Sequence, residues 1–252
     1  MATVRIGTAG WSIPKQYATD FPMVGTHLVR YSQNLNCAEI NSSFYRSHRL
    51  STWTNWAKSV PEEFRFSVKA PKTITHDAKL ACTSEPLRAF LAEAKALANK
   101  LGPVLFQLPP KAAFNQAVAE TFLTLFRDLH PGPAVFEPRH PTWFTAEADN
   151  LLKRFHIARV ATDPAPVPEA ATPGGWSKLI YYRLHGSPHM YYTPYTEPFL
   201  QFLSTTIARQ HRSADVWCIF DNTASGAALG DTLTLQRLLA HHFAWRLAGE
   251  SA

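Results

Sequence analysis

Eight short runs rich in β-branched and aromatic residues recur along this chain, and a segment of helical length follows nearly every one. The runs lie near residues 4–9, 37–41, 65–69, 103–108, 133–138, 157–162, 179–184 and 215–221. The amphipathic segments lie near 22–35, 49–58, 84–101, 113–129, 143–155, 195–211 and 226–247. A strand followed by a helix and another strand is the parallel crossover unit. Eight strands in 252 residues suit a TIM-type (β/α)8 barrel better than an open α/β sheet. The sixth connection, 163–178, holds too many prolines for a long helix. An irregular connection is therefore expected after strand 6.

Helix punctuation agrees with this order. Ser84-Glu85-Pro86 can start the third helix, and Gly102-Pro103 can end it. Between them Leu87, Phe90, Leu91, Ala94, Leu97, Ala98 and Leu101 recur at helical spacing, so one stripe packs inward. The Pro-rich stretch 163–175 reads as a surface loop, which leaves a single domain over 1–252.

Function is suggested by parity. Side chains alternate across a strand, so each parity marks one face. The odd positions give Glu39 and Asn41, Ser67 and Lys69, Gln107, Glu137 and Arg139, Asp163, Arg183 and His185, then Asp221. The even positions give Ile40, Phe66, Val68, Phe106, Leu108, Phe136, Val160, Leu184, Cys218 and Phe220. Parallel strands covered on both faces should read as continuous apolar runs. Here one face collects charge late in each strand, where barrels of this type hold their sites. Burying that many ions costs several kcal/mol each before pairing offsets it, so a functional site is expected.

Within that set, His185 has the intrinsic pKa of a general acid or base, and Glu137 or Glu39 could take the role if crowded. Arg139 and Arg183 offer planar forks for a carboxylate or phosphate. Lys69 is either a fixed charge for an anion or, if desolvated, a Schiff-base nucleophile. Asn41, Gln107 and Asn222 would orient the ligand, with Asp163 and Asp221 on the same rim. Gly186 and Gly226 would let backbone N–H groups approach a phosphate. Trp11, Phe44, Tyr45, Tyr191, Tyr192 and Tyr195 follow strands and could stack on a ring or plug crevices under loops. Trp143 reads as packing, and His241 and His242 as surface or packing residues.

The formal charge of +6 and pI near 9.3 favour an anionic partner, although the positive residues form no run. Cys37, Cys82 and Cys218 form no CxxC pair and read as core residues in a reducing compartment. No signal peptide is legible and no apolar run approaches a bilayer span, so a cytoplasmic location without membrane partners is expected. HExxH and paired CxxC motifs are absent, so no cofactor or metal is assigned. A divalent ion held by Glu39, Glu137, Asp163, Asp221 and His185 is the alternative. The residues give no reading of oligomeric state.

Several segments together resemble one family. They are Ile6-Gly7-Thr8-Ala9-Gly10-Trp11, Glu39-Ile40-Asn41-Ser42-Ser43-Phe44-Tyr45, Phe66-Ser67-Val68-Lys69-Ala70-Pro71 with Thr75-His76, and Leu105-Phe106-Gln107-Leu108-Pro109-Pro110. Phe136-Glu137-Pro138-Arg139-His140, Arg183-Leu184-His185-Gly186 and Asp221-Asn222 continue the match. In this order they resemble the domain-of-unknown-function-72 (DUF 72, YecE-like) family. The resemblance implies a TIM barrel and brings no established reaction; likeness to xylose isomerases and endonuclease IV-type enzymes is at fold level only. Many members carry asparagine at the position of Asp221, and Asn-Ala where this chain has Asp231-Thr232.

The leading expectation is an enzyme acting on a small anionic, phosphate-bearing ligand at the carboxyl ends of the strands. Hydrolase and lyase chemistry, the latter through Lys69, are both open. The alternatives are metal-assisted phosphoester cleavage of nucleic acid and non-catalytic binding of single-stranded nucleic acid.

Overall fold

Helices begin where a short polar side chain can accept the first unpaired N–H groups. Thr26 Oγ1 accepts from Val29 N at the start of α1 (His27–Asn34), and Asn115 Oδ1 from Val118 N at α4 (Gln116–Leu129). Thr145 Oγ1 accepts from Ala148 N at α5 (Ala146–Arg154), which has Glu147 and Asp149 in its first turn and Lys153 and Arg154 in its last. That order of charge complements the helix dipole. The remaining helices are α2 (Leu50–Lys58), α3 (Ser84–Ala94), α6 (Glu197–Gln210) and α7 (Ala227–Gly249). The computed structural model describes residues 2–249.

The strands are β1 (Val4–Thr8), β2 (Cys37–Ile40), β3 (Arg65–Lys69), β4 (Leu101–Gln107), β5 (Ala134–Glu137), β6 (Ala158–Arg159), β7 (Ala161–Asp163), β8 (Gly174–Gly175), β9 (Leu179–Leu184) and β10 (Asp215–Phe220). They form a mixed α/β fold on two sheets, ordered β2-β3-β4-β5-β6-β8 and β1-β10-β9-β7. Every pairing is parallel except that of β8 on β6. The sheets adjoin twice. A parallel bridge joins Ala9 to Glu39, with Gly10 N donating to Glu39 O at 2.8 Å. At the other side β6 pairs with β5 and β7 with β9, and Val160 N between them donates to Phe136 O at 2.8 Å.

Two apolar layers separate sheet from helices. One packs Ile40, Phe66, Val68, Phe106 and Phe136 against residues of α1 to α5, the other packs Leu184, Cys218 and Phe220 against α6 and α7. A third cluster lies on the opposite face of the strands and contains Cys37, Leu105, Val135, Tyr181, Trp217 and Ile219. The odd face is thus apolar toward the amino ends and polar toward the carboxyl ends.

Three local expectations change. The predicted strand 157–162 is two pieces, and its parity is reversed: Ala158 and Val160 join the inner cluster while Ala161 packs with α6 and α7. Arg159 consequently points out and bonds Asp149 of α5. The third helix ends at Ala94 and a tighter turn runs over Lys95–Lys100, so Gly102 and Pro103 lie inside β4. Pro103 lacks a ladder donor, and the β3–β4 register shifts between Phe66 and Val68 beside it. The first helix is shorter than 22–35, preceded by a short 3₁₀ stretch at Lys15–Asp20. The loop after 163 holds no long helix, only a short turn at Pro168–Ala171 and the edge pair at Gly174–Gly175.

Candidate active site

The parallel ladder brings the carboxyl ends of the strands together. Lys69, Gln107 and Glu137 each end a strand, Glu39 and Arg183 stand near strand ends, and His185 and Asp221 follow directly. Glu39, Glu137, Arg183 and His185 have no exposed surface. Arg183 is the hub. Its Nη2 lies 2.8 Å from Glu39 Oε1 and 2.9 Å from Asp221 Oδ2, and its Nε lies 3.1 Å from Glu39 Oε2. Its Nη1 faces Glu137 Oε2 at 3.1 Å and His185 Nε2 at 3.3 Å. A guanidinium has five N–H donors, and here all five are engaged by the protein.

The surrounding groups complete the network. His185 Nδ1 is 3.0 Å from Asp221 Oδ2, and its Nε2 lies 2.8 Å from Arg139 Nη2, 3.0 Å from Glu137 Oε1 and 3.3 Å from Arg183 Nη1. Arg139 Nη2 also donates to Glu137 Oε1, and Gln107 Nε2 to Glu137 Oε2 at 3.0 Å. Tyr181 OH donates to Glu39 Oε2 at 2.9 Å and meets Ser67 Oγ at 2.8 Å. Burial alone would raise the Glu137 carboxyl, but Arg139, Arg183 and His185 hold it well below the usual carboxylate range. Asp221 is held low in the same way, against its burial, chiefly by Arg183 and His185. Three carboxylates balance Arg183, Arg139 and Lys69.

Lys69 differs from the rest. It is 6% exposed, yet its ammonium makes no hydrogen bond or ion pair among the described residues. Its Nζ instead lies 4.2 Å from the centre of the Phe44 ring. Burial and then the charge of Arg183 bring its pKa down to about 8, against the pull of Glu39, Glu137 and Asp221. His76 packs on the other contact of that ring, at 4.8 Å, and its pKa is lowered by burial and by Lys69. Two further polar atoms here are buried without a partner: Arg139 Nε and Asn41 Oδ1.

Other expected ligand contacts serve the protein. Asp163 stands off the polar face because of the reversed parity and accepts from Tyr195 OH at 2.8 Å; Thr162 takes the inward place, 3.5 Å from Glu137 Oε1. Arg183, read as an anion fork, has no donor left for a ligand. Gly186 N donates to Tyr195 OH at 2.9 Å and Gly226 N to Thr223 O at 3.1 Å, so neither reaches out to a phosphate. The positive φ of Gly226 (80°) serves a turn that passes close to Pro14. Asn222 Nδ2 bonds Thr193 O and Asp231 Oδ2, which fastens the 186–195 loop to α7. Asp231 also accepts from Tyr195 N, so it anchors that loop in addition to packing. Trp11 packs edge-on against Trp56 and Phe66, whereas Tyr45, 71% exposed, rests on Phe44. Trp143 is buried and donates to Ala112 O, as packing requires. His241 is exposed and His242 meets Ser204 Oγ.

Tyr181 went unrecognised in the sequence although it shares the parity of Arg183 and His185; Thr162 carried no such signal. Among the described residues no group of three or more His, Cys, Asp and Glu side chains is arranged to hold a metal. The oxygens of Glu39, Glu137 and Asp221 converge on the Arg183 guanidinium instead. No helix among those residues is long and apolar enough to cross a membrane.

The family model described as protein of unknown function DUF72 matches residues 5–250. UPF0759 protein YecE of Escherichia coli (strain K12) is 30% identical over 226 residues, covering 85% of this chain and 79% of that protein. UPF0759 protein YunF of Bacillus subtilis is 26% identical over 148 residues, 56% of this chain and 52% of its own. Among solved structures, a DUF72 family protein from Enterococcus faecalis superposes with a TM-score of 0.79 at 22% identity, covering 94% of this chain and 96% of its own. One from Thermotoga maritima superposes with a TM-score of 0.78 at 22% identity, covering 94% and 99%.

Proposed function

The chain belongs to the DUF72 family, and from that premise we propose that it is an enzyme binding a small anionic, phosphate-bearing molecule at the carboxyl ends of its strands. The observation that carries the reading is the pair of unengaged cationic donors, Lys69 Nζ and Arg139 Nε, beside carboxylates that are already ion-paired. Buried polar groups normally have partners, and an anion would supply them to both. Asn41 Oδ1 adds an acceptor for a ligand hydroxyl.

The same reading divides the chemistry. Glu137 and Asp221, held low, act as fixed charges that position Arg139 and His185. Lys69, with a pKa of about 8, is the group suited to exchange a proton near neutral pH. Metal-assisted cleavage would require Glu39, Glu137 and Asp221 to release Arg183. The architecture we assign is a closed (β/α)8 ring. Its supports are the Ala9–Glu39 bridge at one seam and the 158–163 run, which pairs with both sheets, at the other.

Sulfate, which does not titrate near neutrality, tests the site. It should raise the melting temperature at pH 7, and the gain should shrink as pH rises through about 8, where Lys69 loses its charge. Lys69→Arg should keep the gain at pH 9, and Lys69→Met with Arg139→Gln should weaken sulfate binding about tenfold, the loss of a charge-assisted contact. Equal binding by parent and double variant would reject the site.

A second reading uses the same amine as a nucleophile. The fraction of Lys69 that is free amine at neutral pH would add to a carbonyl carbon and expel water to form a Schiff base. Borohydride should then trap a carbonyl metabolite on the parent and not on Lys69→Met.

A further inference from the structure

The carboxyl-end cluster is balanced in charge, so the surplus that gives this chain its net +6 lies elsewhere. Part of it lines a cleft of about 740 Å³ at the opposite pole, where β1, β3, β4, β9 and β10 begin. Arg5, Arg65, Arg127 and Lys178 face this cleft, with Asp215 as its one acidic lining residue. None of the four cations forms an ion pair among the described residues. Arg5 Nη1 donates to Asn36 O and Glu63 O, and Arg65 Nη1 to Glu62 O and Phe64 O. Carbonyl oxygens fix a guanidinium without neutralising it; Nε and Nη2 of Arg5 and Arg65 make no hydrogen bond, whereas Arg127 is held by the carbonyls of Phe155, His130, Gly132 and His156. The Asp215 carboxylate is turned to Thr3, accepting from its N at 2.7 Å and its Oγ1 at 3.0 Å.

The wall of the cleft is aromatic. The half-buried Trp176 ring packs against His156 at 5.3 Å, and Trp217 lies beneath Arg5. Like charges gathered over aromatic surface without a carboxylate in ion-pair contact favour an anion that joins them. The volume falls in the range of sites for small molecules.

We propose that this cleft is a second binding site, taking a nucleoside diphosphate. Its phosphates meet Arg5, Arg65 and Lys178, and its base lies on Trp176. A polynucleotide is the less fitting occupant, because the four cations sit around one cleft and form no extended track.

Tryptophan fluorescence titrations with ADP, pyrophosphate, adenosine and an oligothymidylate test the assignment. ADP should bind more tightly than pyrophosphate, and adenosine should bind poorly. Exposed Lys178→Glu should weaken ADP and pyrophosphate about tenfold, as loss of one charge-assisted contact implies. Trp176→Leu should weaken ADP alone. Lys69→Met with Arg139→Gln, altered only at the other pole, should bind ADP like the parent, which keeps this result separate from that of the carboxyl-end site. No ADP binding, ADP binding unchanged by Lys178→Glu, or oligothymidylate binding that ADP fails to displace would each overturn it.

Discussion

A single guanidinium organises the carboxyl-end cluster. Arg183 carries five engaged N–H groups and no exposed surface. Burial by itself would lower its pKa, but Asp221, Glu39 and Glu137 raise it well above the ordinary arginine value. The reverse dependence also holds: without that cation three carboxylates would face one another in a dry interior. Breaking a buried ion pair by removing one partner costs about 3–5 kcal/mol, because the remaining charge is uncompensated. Arg183→Met is therefore expected to lower the unfolding free energy by about that amount in urea at pH 7. Adding Glu39→Gln should recover part of the loss, since it removes one orphaned charge. A single variant as stable as the parent would mean that the guanidinium does not hold the carboxylates.

At the scale of elements, the order of strands and helices was legible because each strand carries its own alternation and each helix its own stripe. Lys69, Glu137, Arg183, His185 and Asp221 came together for the same reason: they share a parity and end strands that run in parallel. Asp163 did not, because parity does not pass from one strand to the next. Ala158, Val160 and Thr162 face inward in one alternation, opposite to that of the other strands, which leaves Asp163 toward Tyr195. The glycines after β9 and β10 misled for another reason, since their N–H groups found partners within their own loops. Sequence spacing gives no account of such closures. Tyr195 is the centre of one: its OH donates to Asp163 and accepts from Gly186 N, and its ring stacks on Phe199 of α6. Tyr195→Phe keeps the ring and leaves Gly186 N and Asp163 without their partner. The variant is expected to lose about 1–3 kcal/mol with the carboxyl-end cluster intact. Chemical denaturation beside the sulfate titration separates the two effects; unchanged stability would show that this closure contributes nothing.

For the molecule as a whole, the inner face is apolar at one end and ionic at the other, and groups at both ends make folding sensitive to acid. His130, near the amino-pole cleft, is buried with Nε2 unpartnered, and its ring lies against Phe126. Burial, then Arg127 and Lys95, lower its pKa to about 4. An unfolded histidine titrates near ~6.5, so between those values the unfolded chain binds more protons than the folded one. Stability from this group is complete above about pH 6.5 and is lost as pH falls toward about 4. The size should be about 1–2 kcal/mol, less than the full shift implies because solvent screens part of the site. Below that window the carboxyls of Glu137 and Asp221, also held low in the folded protein, extend the loss as they are forced to take protons. Urea midpoints measured from about pH 7 to about pH 2 should therefore fall in the parent, and His130→Phe should flatten the part of that fall above about pH 4 while leaving the part below it. Parallel curves for the two proteins would remove His130 from the account and assign the whole acid response to the carboxyl-end cluster.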